Sequence, residues 1–528
     1  MKVREPSFLL LVLMSISRSV FSQNIHVVGR DEIVLTEDGS MTEYTGPRGK
    51  FDEFVVPDGL GISVVREWAF GANTYPADTI SAHKLRFEAR VDSILFCVFT
   101  ECLFDSIYIA EGVRYMGEDV FAAGQYMRSR KRIRELKLPD TLEKFECIFI
   151  CDIKELRMPT NLKELGGGFF SSGVERVELN EKLEIIGRDA FYHNEIKELS
   201  IPSSVRVMGG FRSNEIEALD VPGTVEMIDT LAFEDNPLRK LELHDGLREI
   251  KKKAFANCFK KVAGEEAYGS VSFPSTLERL EYGAFGGCPG LRHVEFNEGL
   301  REIGAEAFAR SGLEKAEMPE TVESIGKAAF KESKNLKSVS LTNELKKLGR
   351  EAFMWCDLEE IEIPGSITEV ADSAFLGNWH VKKIRVSEGI SKIGGYALSF
   401  CYETEEVRLP STLRYIGANA FYSTSFPETK LPTPPVGMVW KSFDGTPDKV
   451  VETVTTIGGN RSGQTKYGTY GYALYPDGKT AGAVEREVDV EETVATYDMR
   501  GRRVRDEERA RGVVVEVKKD GRVAKRWR

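Results

Sequence analysis

Ile325-Gly326-Lys327-Ala328-Ala329-Phe330 is preceded 22 residues earlier by Ile303-Gly304-Ala305-Glu306-Ala307-Phe308 and followed 23 later by Leu348-Gly349-Arg350-Glu351-Ala352-Phe353. Moving outward in both directions, the slot held by Phe330 returns at Phe70, Phe99, Phe121, Ile150, Phe170, Phe191, Phe211, Phe233, Phe255, Phe285, Phe308, Phe353, Phe375, Leu398 and Phe421. An apolar residue stands five before each, except that Met208 precedes Phe211 by three. Most steps are 20–23 residues and three are 29 or 30. A unit of that length cannot bury its own apolar side, so it must stack on its neighbours. The beat therefore predicts a repeat solenoid, mainly β, roughly 75 Å long for sixteen coils at the strand spacing.

Within a unit, Leu336-Lys-Ser-Val339-Ser-Leu341 alternates apolar and polar residues and reads as a short strand. Leu199-Ser-Ile201, Leu241-Glu-Leu243 and Ile361-Glu-Ile363 are copies. Pro closes many of them, as at Pro139, Pro202, Pro319 and Pro364, because it has no N–H for a ladder. A second apolar pair such as Val322-x-x-Ile325 makes another extended leg, and the following Gly permits a bend. The Phe then plugs the interior as core rather than as a ligand cage.

Five of the eight cysteines, Cys102, Cys258, Cys288, Cys356 and Cys401, fall three residues after the Phe slot. That regularity reads as a position for a small buried apolar residue, a role free Cys fills. Cys258 and Cys288 share the slot in consecutive coils, within reach of a disulfide, so a bridge there stays open. Cys97, Cys147 and Cys151 fall outside the pattern.

Units of the form LxxIxIPxxVxxIGxxAFxxC resemble the BspA-like, treponemal-type leucine-rich repeats over about residues 51–445. The resemblance implies a right-handed solenoid with a parallel sheet on its concave side and a surface-exposed binding role. It also implies a protein ligand, such as host extracellular matrix or another bacterial surface. The beat is irregular near Thr74–Phe87 and Phe259–Ser270, where insertions lengthen a coil.

Lys2 and Arg4 followed by the apolar run Phe8–Met14 and by Val20-Phe21-Ser22 read as a secretory signal peptide over residues 1–22. The run is too short to span a bilayer, and no later stretch supplies a span. An exported or cell-surface location follows. Residues 23–50 are expected to cap the first coil, and Trp440 and Phe443 the last. Residues 446–528 form a C-terminal β segment, with a loop at 458–471 and a hairpin turn at Asp520-Gly521. Its YDMxGRxV motif, followed by an apolar strand and DGxxxK, resembles the sorting domain of the type IX secretion system of Bacteroidetes. The resemblance implies an outer-membrane export address.

A net charge of −11 excludes broad nucleic-acid binding. No HExxH, GxSxG or P-loop is present, and six scattered His residues show no ligand spacing, so no enzyme, cofactor or metal is expected. The pattern above background is the exposed middle residue of successive strands. It runs Lys137, Arg157, Glu178, Ser200, Asp220, Glu242, Ser272, Glu295, Glu317, Ser340, Glu362, Arg385, Arg408, Lys430. Carboxylates stacked at about 4.8 Å repel one another. One reading is a solvated face balanced by Lys240, Lys315 and Lys383; the other is a groove for a basic protein segment or a cation. Partner contact is accordingly expected at Glu178, Asp220, Glu242, Glu295, Glu317, Glu362, Arg385 and Arg408. The alternative is glycan capture or nutrient handling by aromatics such as Trp355, Trp379 and Tyr396.

Overall fold

The computed structural model describes residues 24–71, 79–121, 133–260, 269–425 and 429–442, and the short strands 453–454, 472–476, 493–498, 513–518 and 523–527. Readings that concern residues 1–22, 458–471, 501–504, 520–521 and Phe443 lie outside them, as do 74–78 and 261–268 of the two inserted stretches. Two compact units emerge, one holding the repeats and one holding most of the C-terminal strands.

Each coil of the larger unit contributes two extended legs. The second, two residues long, stacks parallel and in register on its predecessor, with Ser324 opposite Lys347 and Ile325 opposite Leu348. This leg builds a fifteen-stranded sheet from Ile33–Leu35 to Lys347–Leu348, and a further sheet takes up the same leg at Glu369–Val370. The longer first-leg strands also pair in parallel, but beyond a five-stranded group at the N-terminal end they form sheets of two or three. Most of these strands run only three or four residues, and prolines that cannot donate close many of them. The continuous ladder thus lies in the second leg. A mainly β parallel solenoid is what the beat predicts.

The interior is a column of aromatic rings. Fourteen Phe side chains from Phe70 to Phe375 stack from coil to coil with centroids 4.8–6.1 Å apart and nearly parallel planes. Two expected members are corrected. Phe149 and Phe169 occupy the column, not Ile150 and Phe170. In those coils only four residues separate the leg residue, Phe145 or Leu165, from the plug, because Ile148–Phe149 and Gly168–Phe169 add a pair of parallel bridges. Phe170 is left half-buried, its ring 5.1 Å from Tyr192.

The position three after the plug is also corrected: it is a hydrogen-bond donor slot. Cys258 Sγ donates to the Phe233 carbonyl at 3.1 Å and Cys288 Sγ to Phe255 at 3.2 Å. Ser333 Oγ donates to Phe308 at 2.9 Å, and Asn236 and Asn378 Nδ2 donate to Phe211 and Phe353 at 2.8 and 2.9 Å. The plug's carbonyl is buried, and a buried acceptor left unpaired costs about 1–3 kcal/mol. Small donors are therefore interchangeable here. All eight cysteines are free thiols, so Cys258 and Cys288 are not bridged.

The plug turn is strained in a repeating way. Residues two before and two after the Phe adopt left-handed φ, as at Glu306 (56°) and Arg310 (57°), or Glu351 (60°) and Trp355 (57°). Such a conformation costs roughly 1–2 kcal/mol per residue. It aims three alternate amides at the next coil: Glu306, Phe308 and Arg310 donate to the carbonyls of Lys327, Ala329 and Lys331 at 2.7–2.9 Å. The Gly at the head of the turn serves close approach of coils rather than a bend. A Cβ on Gly304 would sit 2.6 Å from the Leu280 carbonyl oxygen, and one on Gly326 would overlap the Ala305 amide.

At the N-terminal end, Ile33–Leu35 and Ser40–Tyr44 form an antiparallel hairpin. The buried Tyr44 ring extends the aromatic column, 5.2 Å from Phe70. At the other end Trp440 is buried and its Nε1 donates to the Pro432 carbonyl at 2.8 Å. Tyr472 and Ala473 pair antiparallel with Ile416 and Tyr415, closing that sheet edge. The smaller unit carries a three-stranded antiparallel sheet of Thr493–Asp498, Val513–Lys518 and Val523–Trp527.

Candidate interaction surface

The first-leg strands hold their middle residues on the solvent face because the flanking apolar residues turn inward, as in the exposed–buried alternation of Glu360–Ile363. All eight candidate residues lie on this row, seven exposed and Arg385 half-buried. Parallel register brings Asp220 opposite Glu242, and Glu362 opposite Arg385, itself opposite Arg408. Arg157 faces Glu178, Ser272 faces Glu295 and Glu317 faces Ser340.

Many of these charges are answered locally. Arg157 Nε lies 3.9 Å from Glu178, Lys240 Nζ lies 2.5 Å from Glu242, and Ser272 Oγ donates to Glu295 at 2.6 Å. The hydrogen bond to Glu242 raises the Lys240 ammonium above its ordinary pKa. Lys383 does not reach the row; it pairs with Glu360 at 2.9 Å, and that bond lowers the carboxyl's pKa. Arg408 donates to Glu406. Among the described residues Glu317 and Glu362 make no ion pair, and the buried Arg385 Nε finds no hydrogen-bond acceptor. The balanced-face reading thus holds for Glu178, Glu242 and Glu295 and fails for Glu317 and Glu362, at the C-terminal end of the acidic stretch.

Sequence reasoning missed His244. It follows Glu242 by two, hence on the same face, and its Nε2 lies 2.8 Å from Asp220 Oδ1 of the preceding coil. Ligand atoms of Asp220, Glu242 and His244 all fall within 4.8 Å of one another. An open groove of about 480 Å³ borders His244, lined also by Asp245, Ser272, Ser275 and Asn297. The strand row already set Asp220 beside Glu242; the pattern of alternate residues on one strand would have added His244 to them.

A second surface lies at the plug turns near the C-terminal coils. Trp355, Trp379 and Tyr396 are 43%, 54% and 42% exposed. Trp355 and Phe400 hold the same slot two coils apart; the intervening residue is Gly377, where a Cβ would come within 2.8 Å of the Trp355 Nε1. Trp379 and Tyr402 share the next outward slot. Phe400 lies 6.1 Å from Tyr402 and 5.4 Å from Tyr422, and the hydrogen-bonded Asp357 and His380 adjoin Trp379.

The profile of the BspA type leucine rich repeat region matches in six copies, over residues 73–171, 93–210, 144–262, 264–378 and 324–444. The chain belongs to the BspA type leucine-rich repeat family. Among solved structures, a leucine-rich repeat protein from Bacteroides ovatus is 21% identical, with 75% of this chain and 98% of that one covered at a TM-score of 0.50. It has the same fold. A leucine rich cell surface protein from Faecalibacterium prausnitzii is 19% identical over 71% of this chain and 92% of that one, at 0.31. The leucine rich repeat protein of T. pallidum is 24% identical over 35% and 77%, at 0.27. No curated protein matches the chain. Among the described residues no helix is long and apolar enough to cross a membrane.

Proposed function

We propose that this BspA type protein is a secreted or cell-surface, non-catalytic binding protein that holds a protein partner along the outward strand row. We further propose the division into a leader (1–22), a cap (23–50), the repeats (51–445) and a sorting segment (446–528). The observation that carries the reading is the unanswered charge at the C-terminal end of the acidic stretch. Glu317 and Glu362 lack partners among the described residues while flanking carboxylates have them. Two carboxylates two coils apart, next to an Arg with an unpaired Nε, suit a segment bearing two basic groups and one acidic group. Such groups occur on host extracellular matrix and on another bacterium's surface, which makes adhesion the role. Replacing Glu242, Glu295, Glu317 and Glu362 with Lys should abolish binding to immobilised matrix proteins and to whole cells. Unchanged adhesion removes the row from the mechanism. The export route is tested by surface proteolysis of cells carrying the chain with and without residues 490–528.

The exposed aromatic turns favour a second reading, glycan capture. Rings in neighbouring coils offer apolar faces beside the Asp357–His380 pair, which can bond hydroxyls. A Trp355→Ala/Trp379→Ala variant that loses glycan-array signal and keeps matrix binding would select this reading for that edge.

A further inference from the structure

We infer that Asp220, Glu242 and His244 form a binding site for a divalent transition-metal ion, with Zn²⁺ as its reference occupant. The site shares Asp220 and Glu242 with the strand row but does not require a protein partner, and its test reads metal binding alone. It depends on a coincidence of the fold. Parallel register sets Asp220 directly opposite Glu242 in the next coil. The period of two along the strand then places His244 on the same face as Glu242. The three donor atoms come within 4.8 Å of one another although Asp220 and His244 are 24 residues apart.

The donor set is one imidazole nitrogen with two carboxylates. Hard Mg²⁺ and Ca²⁺ take oxygen ligands, whereas imidazole suits Zn²⁺ and its first-row neighbours. Three protein ligands leave a coordination position open to water or to a group from outside. The open groove bordered by His244 gives that position room. In the metal-free chain, His244 Nε2 and Asp220 Oδ1 share a hydrogen bond of 2.8 Å. A metal on Nε2 would replace that hydrogen bond and requires the neutral tautomer whose proton sits on Nδ1. Lys240 is the built-in competitor, because its ammonium holds one oxygen of Glu242 at 2.5 Å. Loss of Lys240 frees that oxygen for the metal.

The test is isothermal titration calorimetry of the full chain with ZnCl2, repeated with MgCl2. One Zn²⁺ per chain should bind, and Mg²⁺ should give no comparable heat. His244→Ala should weaken Zn²⁺ by more than the roughly 10–100-fold that loss of an outer-shell partner costs. Asp220→Asn should weaken it as well, and Lys240→Met should tighten it. All four side chains are exposed, so the variants should keep the native melting profile, which is measured alongside. A variant that melts early is replaced by His244→Gln. Absence of saturable Zn²⁺ heat overturns the site, and so does Zn²⁺ binding undiminished in His244→Ala. A cobalt titration adds an independent readout: ligand-field bands in the native chain that vanish in His244→Ala support the assignment, and identical spectra refute it.

Discussion

Replacing Asn236 with Leu, nearly its isostere, tests whether the slot three after the plug is chosen for hydrogen bonding or merely for size. Asn236 is wholly buried. Its Nδ2 donates to the carbonyls of Phe211 at 2.8 Å and Phe233 at 2.9 Å, and its Oδ1 accepts from the Ile216 amide at 3.2 Å. Leu fills the same space, so no cavity confuses the result, and three polar groups lose a partner. The Ile216 amide has no other acceptor among the described residues, and orphaning it costs about 1–3 kcal/mol. The carbonyls keep some company: Asn214 Nδ2 reaches Phe211 at 3.1 Å and Cys258 Sγ reaches Phe233 at 3.1 Å. Each therefore loses only the net worth of one bond, about 0.5–1.5 kcal/mol. The sum is roughly 2–6 kcal/mol, a large part of typical domain stability. Urea denaturation followed by circular dichroism gives the shift in midpoint, and hydrogen exchange at Ile216 gives its local origin. Cys258→Ser, which keeps a donor, should cost far less than Asn236→Leu. An unshifted midpoint with a protected Ile216 amide would return the slot to simple packing.

Two further outcomes follow from the column and the thiols. Phe308 stacks at 5.6 Å on Phe285 and 5.3 Å on Phe330, with Phe296 edge-on at 5.5 Å, so Phe308→Ala should cost about 3–5 kcal/mol. Hydrogen exchange should show protection lost in the two adjoining coils first; uniform loss along the whole chain would contradict nearest-neighbour stacking. Burial pushes the thiols of Cys102, Cys288 and Cys401 from 9.0 up to about 12. A thiol raised in the folded state favours folding fully below pH 9, and that contribution disappears as pH climbs from 9 to 12. Melting temperature should fall across that window, less steeply when all three are Ser; a flat profile would show that these thiols already ionise in the native state.

What the sequence discloses is whatever repeats at fixed spacing. The beat from Phe70 to Phe421 yields the solenoid, the parallel stacking and the strand row, because each depends on residues at equal intervals along the chain. The plugs at 149 and 169 escaped because the interval from leg to plug, not the period, had changed there, and Ile150 and Phe170 were apolar enough to pass. Five cysteines in one slot looked apolar until the neighbouring coils supplied Ser333, Asn236 and Asn378 at the same place, all aimed at a plug carbonyl. The charges of the row were legible, but their neutralisation was not. Lys383 reads as a counterion for the row, yet its ammonium reaches Glu360, while Glu317 stays unanswered among the described residues. That distinction depends on where long side chains end.

The same limit explains why the sharpest chemistry on the row was invisible. A coil converts a separation of about 22 residues into roughly 4.8 Å. Any two polar residues one period apart, give or take two, can therefore meet, and a chain with 83 Asp and Glu offers many such pairs. Periodicity alone ranks none of them. Asp220, Glu242 and His244 stand out only once register and side-chain direction are fixed together, since a one-residue slip would turn Lys240, Glu242 and His244 inward together and leave Asp220 alone on the face. In a repeat protein the fold follows from what the units share, whereas function gathers where one unit departs from the others.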